Sequence, residues 1–190
     1  MPKPTRITKE SILNAALEIV RESGTDMLNA RSLALRLGCS TQPIFSNFTS
    51  MDEVKSEVGK QAYGLYEDFL NNAIEHGKYP PYKEAGMAYI RFAAEEKQLF
   101  RLLFMRDRTG ADKSVDLTSD TDVKLISMIA SSLSVPFDAA KKFHRESWIF
   151  VHGIATMVVT SFADYREDDI SAMLTDVYVG LSMKIKEDAK

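Results

Sequence analysis

The residues whose types and spacing could do chemistry lie on one stripe: His144, Trp148 and His152 recur at i+4, which in a helix stacks them on one face. Thr156 and Thr160 continue the stripe. Two histidines on one face invite a metal, but eight residues at 1.5 Å rise put them about 12 Å apart. First-row ions sit about 2 Å from each ligand, so the pair cannot share one. Cys39 is the only cysteine, which leaves no internal disulfide and no cysteine zinc site; its ordinary role is that of a small buried hydrophobe. No nucleophile–base arrangement, paired catalytic carboxylates or phosphate loop is present. The residues therefore predict no enzyme, no metal and no cofactor. For His152 two roles stay open: a buried imidazole hydrogen-bonded to a neighbouring helix, or the lining of a binding pocket.

A stripe of this kind needs a helix, and helical spacing is what nearly the whole chain offers. No alternating strand or Asn-Gly hairpin is visible, so the expected class is all-α with about nine helices. Composition is that of a soluble globular protein, 45% hydrophobic and 27% charged over 190 residues. That length suits one domain, or a module of ~50 residues joined to a larger one. The start, MPKPTRITKE, lacks the apolar core of a signal peptide. The longest uncharged run, Ser147 to Ala163, has 17 residues broken by His152, Gly153 and several hydroxyls, short of the roughly 20 that span a bilayer. A cytoplasmic protein without membrane contact is expected. Net charge is −3, and residues 1–60 hold eight basic against seven acidic side chains, so charge alone does not point to DNA.

The first helix is expected over about 8–23, with Ile12, Ala16, Ile19 and Val20 buried and Gly24 as its stop. The second follows Asn29, a good N-cap, through Leu33 and Leu37 to Gly38. A long helix over about 50–76 ends in the turn GKYPPY, and 84–104 reads as one or two aromatic-rich helices. The polar segment 106–120 is the expected mobile loop. Helices over about 120–133, 136–163 and 168–187 complete the chain. Gly153 and Gly180 inside the last two each cost roughly 1 kcal/mol relative to alanine, which predicts close approach of another helix. The apolar stripe Val151, Ile154, Val158 and Phe162 faces either the domain core or a partner.

Between the second helix and the long one lies GCSTQPIFSNF, residues 38–48, where Pro43 stands in front of Ile44, Phe45 and Phe48 at the spacing of an inward helix face. With Ser40 as cap, Thr41, Gln42 and Pro43 would be the first turn, whose N–H groups have no intrahelical acceptor, so the proline costs no hydrogen bond. Helix, tight turn and short second helix form a helix-turn-helix, whose second helix can enter the major groove. Thr41, Gln42 and Ser46 then suit base-edge and phosphate contacts. A plain helical hairpin in a bundle, with the hydroxyls as caps, fits the same short pattern.

In register over about 6–58, Ile12 with Ala15-Ala16, Gly24, Leu33-Ala34, Gly38-Cys39-Ser40, Ile44-Phe45, Phe48 and Ser50-Met51-Asp52-Glu53-Val54 resemble the tetracycline-repressor (TetR) family of transcriptional regulators. The resemblance implies an N-terminal three-helix DNA-binding domain, residues 1–58, and a larger helical effector-binding and dimerisation domain, residues 59–190. It implies a homodimer on a pseudo-palindromic operator of double-stranded DNA. Two departures stand out: Phe45 occupies a position where the family has a phosphate-bonding tyrosine, and Met51 replaces a common lysine, for which Lys55 one turn later is placed to substitute. Each lost phosphate contact lowers the salt slope of binding by roughly one unit. Binding is then expected to lean on Arg6, Lys9, Arg31 and Asn47, with Ser40, Thr41, Gln42, Pro43 and Ser46 at the leading end of the recognition helix. Arg36 is expected on a solvated face.

In the second half, Trp148-Ile149-Phe150-Val151-His152-Gly153 resembles the Trp-x-x-x-His-Gly signature of a subgroup of these C-terminal domains, preceded by the matching segment 89–104. The resemblance implies a small-molecule effector, and the aromatics with polar handles suit a largely apolar cavity. Tyr63, Tyr66, Tyr89, Phe92, Phe104, Met128, Trp148 and His152 are the candidates to line it. The expected function is a repressor released by an effector; the alternative is a DNA-bound regulator that answers to a protein partner and has no small-molecule pocket.

Overall fold

The structure is a computed structural model that describes residues 7–105 and 119–188. Among the described residues it has nine α-helices, one 3-10 turn and no strand. The chain divides into two compact units, Met1–Tyr66 with Glu96–Arg106, and Glu67–Glu95 with Asp107–Lys190.

In the first unit, α1 (Lys9–Ser23) begins where Thr8 and Ser11 cap each other's backbone N–H, satisfying donors that a helix start leaves over. Its apolar positions bury Ile12, Ala16, Ile19 and Val20 together with Ala15 and Leu17. Gly24 ends it at φ 85°, a backbone region that side chains with a Cβ avoid. A 3-10 turn, Thr25–Met27, then leads to Asn29, whose side chain accepts from the N–H groups of Arg31 and Ser32 at the head of α2 (Ala30–Leu37). Gly38 closes α2 in the left-handed region at φ 63°. After it come α3 (Gln42–Asn47) and α4 (Met51–His76), the latter belonging to this unit as far as Tyr66. The eight-residue α6 (Lys97–Phe104) also packs on α1, with Leu99 and Phe100 fully buried.

The second unit holds the rest of α4, α5 (Pro81–Glu95), α7 (Asp120–Leu133), α8 (Phe137–Val159) and α9 (Glu167–Asp188). α8 packs against α5, α7 and α9. Ile126, Ile129, Ala140, Phe143 and Ile185 form one part of its core. Ser119 caps α7 reciprocally with Asp122; the rest of the expected polar loop, 106–118, lies outside the described residues. The segment 84–104 is two helices, since α5 starts inside the Pro-Pro turn and breaks at Glu96.

One expectation for α8 needs correction. It stops at Val159, four residues early, because Ser161 turns the chain with φ 56°; Phe162 therefore leaves the stripe and is 82% exposed, while Val151 and Ile154 enter the core. A Cβ at Gly153 or at Gly180 would meet nothing within 4 Å, so among the described residues no helix makes the close approach that these glycines predict. Among the described residues no single helix is long and apolar enough to cross a membrane.

Candidate nucleic-acid interface and polar core

The turn between α2 and α3 is built by backbone bonds. The N–H of Gly38 donates to the Leu35 carbonyl at 3.1 Å and that of Cys39 to the Ala34 carbonyl at 3.0 Å, satisfying the last carbonyls of α2. Helix α3 then starts one residue later than Ser40 capping requires. Thr41 is its cap residue, already helical at φ −73°, ψ −14°, with no side-chain cap bond. Pro43 is the second residue of the helix, where its missing N–H has no intrahelical acceptor to lose.

Ile44 and Phe48 are buried, at 0% and 2% exposure, and hold α3 to the unit. Phe45 is 50% exposed, which corrects the expectation that it packs inward. Successive helical residues point about 100° apart, so a six-residue helix that buries Ile44, with Phe48 just past its end, turns Phe45 away. The outward face is thus Ser40, Gln42, Phe45 and Ser46, all exposed, flanked by the half-buried Thr41, Pro43 and Asn47. Ser46 donates to the Gln42 carbonyl at 2.9 Å and Asn47 to the Pro43 carbonyl at 2.8 Å.

The basic candidates are placed differently from one another. Lys9 lies 3.7 Å from Glu53 and 4.8 Å above the Phe48 ring. Arg31 is exposed and Lys55 half-buried, and neither has an ion-pair partner among the described residues. Arg6 lies outside the described residues. Arg36 reaches across to Glu18 at 3.3 Å and to Glu22, a surface network. Glu53 opens α4 by accepting the backbone N–H and hydroxyl of Thr49, both at 2.7 Å; these bonds, the backbone one foremost, hold its carboxyl below the ordinary range.

Each of the eight pocket candidates belongs to one unit or the other. Tyr63, Tyr66 and Phe104 belong to the first unit, the Tyr66 ring lying 5.9 Å from Tyr63 and 5.0 Å from Phe104. In the second unit Tyr89, Trp148 and His152 come together: the Tyr89 hydroxyl is 2.9 Å from His152 Nδ1, and the Trp148 and His152 rings stack at 4.8 Å with 10° between planes. Burial pushes the His152 imidazole down, favouring its neutral form. Phe92 is fully buried against Phe69, and Met128 is half-buried on α7.

Two further polar sites in this unit have partners that the sequence reading does not name. His144 is buried, with Nδ1 3.0 Å from the Tyr82 hydroxyl and Nε2 3.4 Å from Asp122 Oδ1. Burial works to raise the Asp122 carboxyl, but hydrogen bonds from His144 and Ser119 hold it below its ordinary range. Burial pushes the Tyr82 phenol above its own. Glu84 is 1% exposed and sits where α4 turns into α5, accepting from Arg91 at 2.6 Å and from the Tyr79 N–H at 3.0 Å. A Cβ on Gly77 would stand 2.1 Å from the Glu84 carboxyl carbon, so that carboxylate needs a glycine there. His144 offered its i+4 spacing as a signal; for Glu84 the signal was Arg91 two turns along the same face.

The chain resembles known proteins over nearly its whole length. An uncharacterized HTH-type transcriptional regulator of Mycobacterium tuberculosis, Rv0681, is 23% identical over 186 residues, 95% of this chain and 82% of its own. The class D tetracycline repressor protein of Escherichia coli is 25% identical over 128 residues, 67% of this chain and 53% of its own; the match thus spans about half of that repressor. A TetR-family structure from Streptomyces coelicolor superposes with TM-score 0.57 at 16% identity, covering 92% of this chain and 98% of that one, and shows the same fold. The profile of the tetracyclin repressor-like C-terminal domain matches residues 82–178. It speaks for that domain as a whole and adds nothing to the Trp-His-Gly likeness. Since the match takes in just over half of the chain, this protein belongs to the TetR family of transcriptional regulators.

Proposed function

We propose that this regulator is a homodimeric, sequence-specific DNA-binding repressor, in which α3 reads the operator and the second unit holds a small-molecule effector that releases it. The observation that carries the reading is the outward face of α3. A helix too short to be stable alone is pinned by Ile44 and Phe48 and presents Gln42 and Ser46 in the manner of a groove-reading helix. Ser40 and Thr41 lead into the groove, Asn47 and Pro43 flank it, and Arg31 and Lys55 are cations nearby in sequence that have no ion-pair partner among the described residues. The DNA-binding part is then residues 1–58 and the regulatory part the remainder.

A second copy is the natural cover for Ile149 and Met157 on α8 and Val179 and Met183 on α9, all at least 38% exposed. Gly153 and Gly180 lie among them with open space above. The effector reading draws on the tetracycline repressor of class D among the relatives and on the Tyr89–Trp148–His152 array, a stacked Trp–His pair with the Tyr89 ring edge-on to both. Repression and its release both follow if the effector favours the dimer geometry that does not fit DNA.

Competition binding tests the reading element directly. Gln42→Ala should leave non-specific affinity within about twofold and lower the preference for a selected site over random duplex by roughly tenfold, as loss of a good base contact does. A Gln42→Ala protein with undiminished preference would remove α3 from the role assigned to it.

A further inference from the structure

We propose that Phe45 sets sequence specificity by packing its ring against the C5 methyl group of a thymine, so that α3 reads one T·A pair in each half-site through an apolar contact. The inference rests on the DNA-binding reading above.

Phe45 is the one large apolar side chain on the outward face of α3, half exposed and without a ring contact among the described residues. Nothing in the packing of the unit accounts for it, since Ile44 and Phe48 hold the helix. Taking those two as the inward direction, Gln42 and Ser46 point to the opposite side, and Phe45 falls about 60° around the helix from Gln42 at 100° per residue. A ring there meets the flank of the groove that the helix enters. Phenylalanine has no hydroxyl to bond a phosphate, so its gain on DNA comes from removing apolar surface from water. Among base edges in the major groove, the thymine methyl is the apolar group, and phenylalanine is among the side chains that suit it. The surrounding Thr41, Gln42 and Ser46 supply hydrogen-bonding groups for the neighbouring pairs.

The test begins with a preferred site enriched by the wild-type protein from random duplex DNA. Each thymine in that site is then replaced by deoxyuridine, which deletes the methyl and keeps every pairing group. Affinity is measured by fluorescence anisotropy for the wild type, Phe45→Ala and Phe45→Tyr; an exposed side chain can be truncated without unfolding the unit. One deoxyuridine position per half-site should weaken the wild type about fourfold, the loss of one buried methyl group. The same replacement should leave Phe45→Ala unaffected and Phe45→Tyr still sensitive. If all deoxyuridine sites bind the wild type like the parent, the ring rests on sugar and the proposal is overturned. An equal penalty in Phe45→Ala and wild type overturns it too, by giving the methyl to another side chain. Failure to enrich any site would instead sink the DNA-binding reading itself, before Phe45 is reached.

Discussion

The outer face of α3 and the polar core of the second unit use their polar groups in opposite ways. On α3, Ser46 and Asn47 bond, among the described residues, only to carbonyls of their own helix, and Gln42 and Phe45 face outward. In the second unit Glu84, His144 and His152 are each engaged by a specific partner: Arg91, Tyr82 with Asp122, and Tyr89. One surface is arranged for something outside the chain, whereas the other has its charges and imidazoles already committed. Substitutions in the core should therefore register as lost stability and those on the outer face as lost binding.

The largest effect expected is in the core. Arg91→Leu strands the Glu84 carboxylate, 1% exposed, with the Tyr79 N–H as its remaining partner, and should lower unfolding free energy by about 3 kcal/mol in urea titrations. Gly77→Ala should cost about 2 kcal/mol by the same measurement, since its Cβ collides with Glu84 and stands 2.5 Å from the Ala73 carbonyl. A silent Gly77→Ala would show that the Glu84 site yields easily and is no fixed anchor.

A smaller effect belongs to the aromatic array. Tyr89→Phe removes the hydroxyl from His152 Nδ1 and should cost about 1 kcal/mol. His152 also gives the core a pH dependence. Burial lowers its folded pKa, so the unfolded chain takes up the proton first, and the stability present above the ordinary imidazole value of about 6.5 is lost as pH falls through the folded value. Trp148, the only tryptophan, stacks on this imidazole, and its fluorescence should titrate with a midpoint below about 6.5. A midpoint above it would contradict the burial argument.

The smallest structural effect should come from the interface. Lys55→Ala should leave the unfolding midpoint unchanged, yet make the dependence of log affinity on log salt shallower by about one unit per half-site. An unchanged slope would take Lys55 off the phosphates and leave the loss at Met51 uncompensated.

What could be read from the sequence follows the same division. Caps and stops are local, so Gly24, Asn29 and Gly38 placed the end of α1 and both ends of α2 to within a residue or two, and 120–133 coincides with α7. Phe45 was misplaced because three apolar residues in five look like one face, although a helix of six residues has room to bury a single line of them. The core pairs were out of reach for a different reason: Tyr82 and His144 are 62 positions apart, Tyr89 and His152 are 63, and helical periodicity carries no information about which faces meet. Aromatic type alone likewise does not say that Tyr66 meets Tyr63 and Phe104 while Tyr89 meets Trp148 and His152.

The measurement that bears most directly on the whole account is the affinity of the purified protein for DNA from upstream of its own gene, against random duplex of equal length, over a range of salt. The account predicts saturable binding with a preference of at least about a thousandfold and affinity that falls steeply as salt rises. Equal affinity for both duplexes at every salt concentration would contradict it.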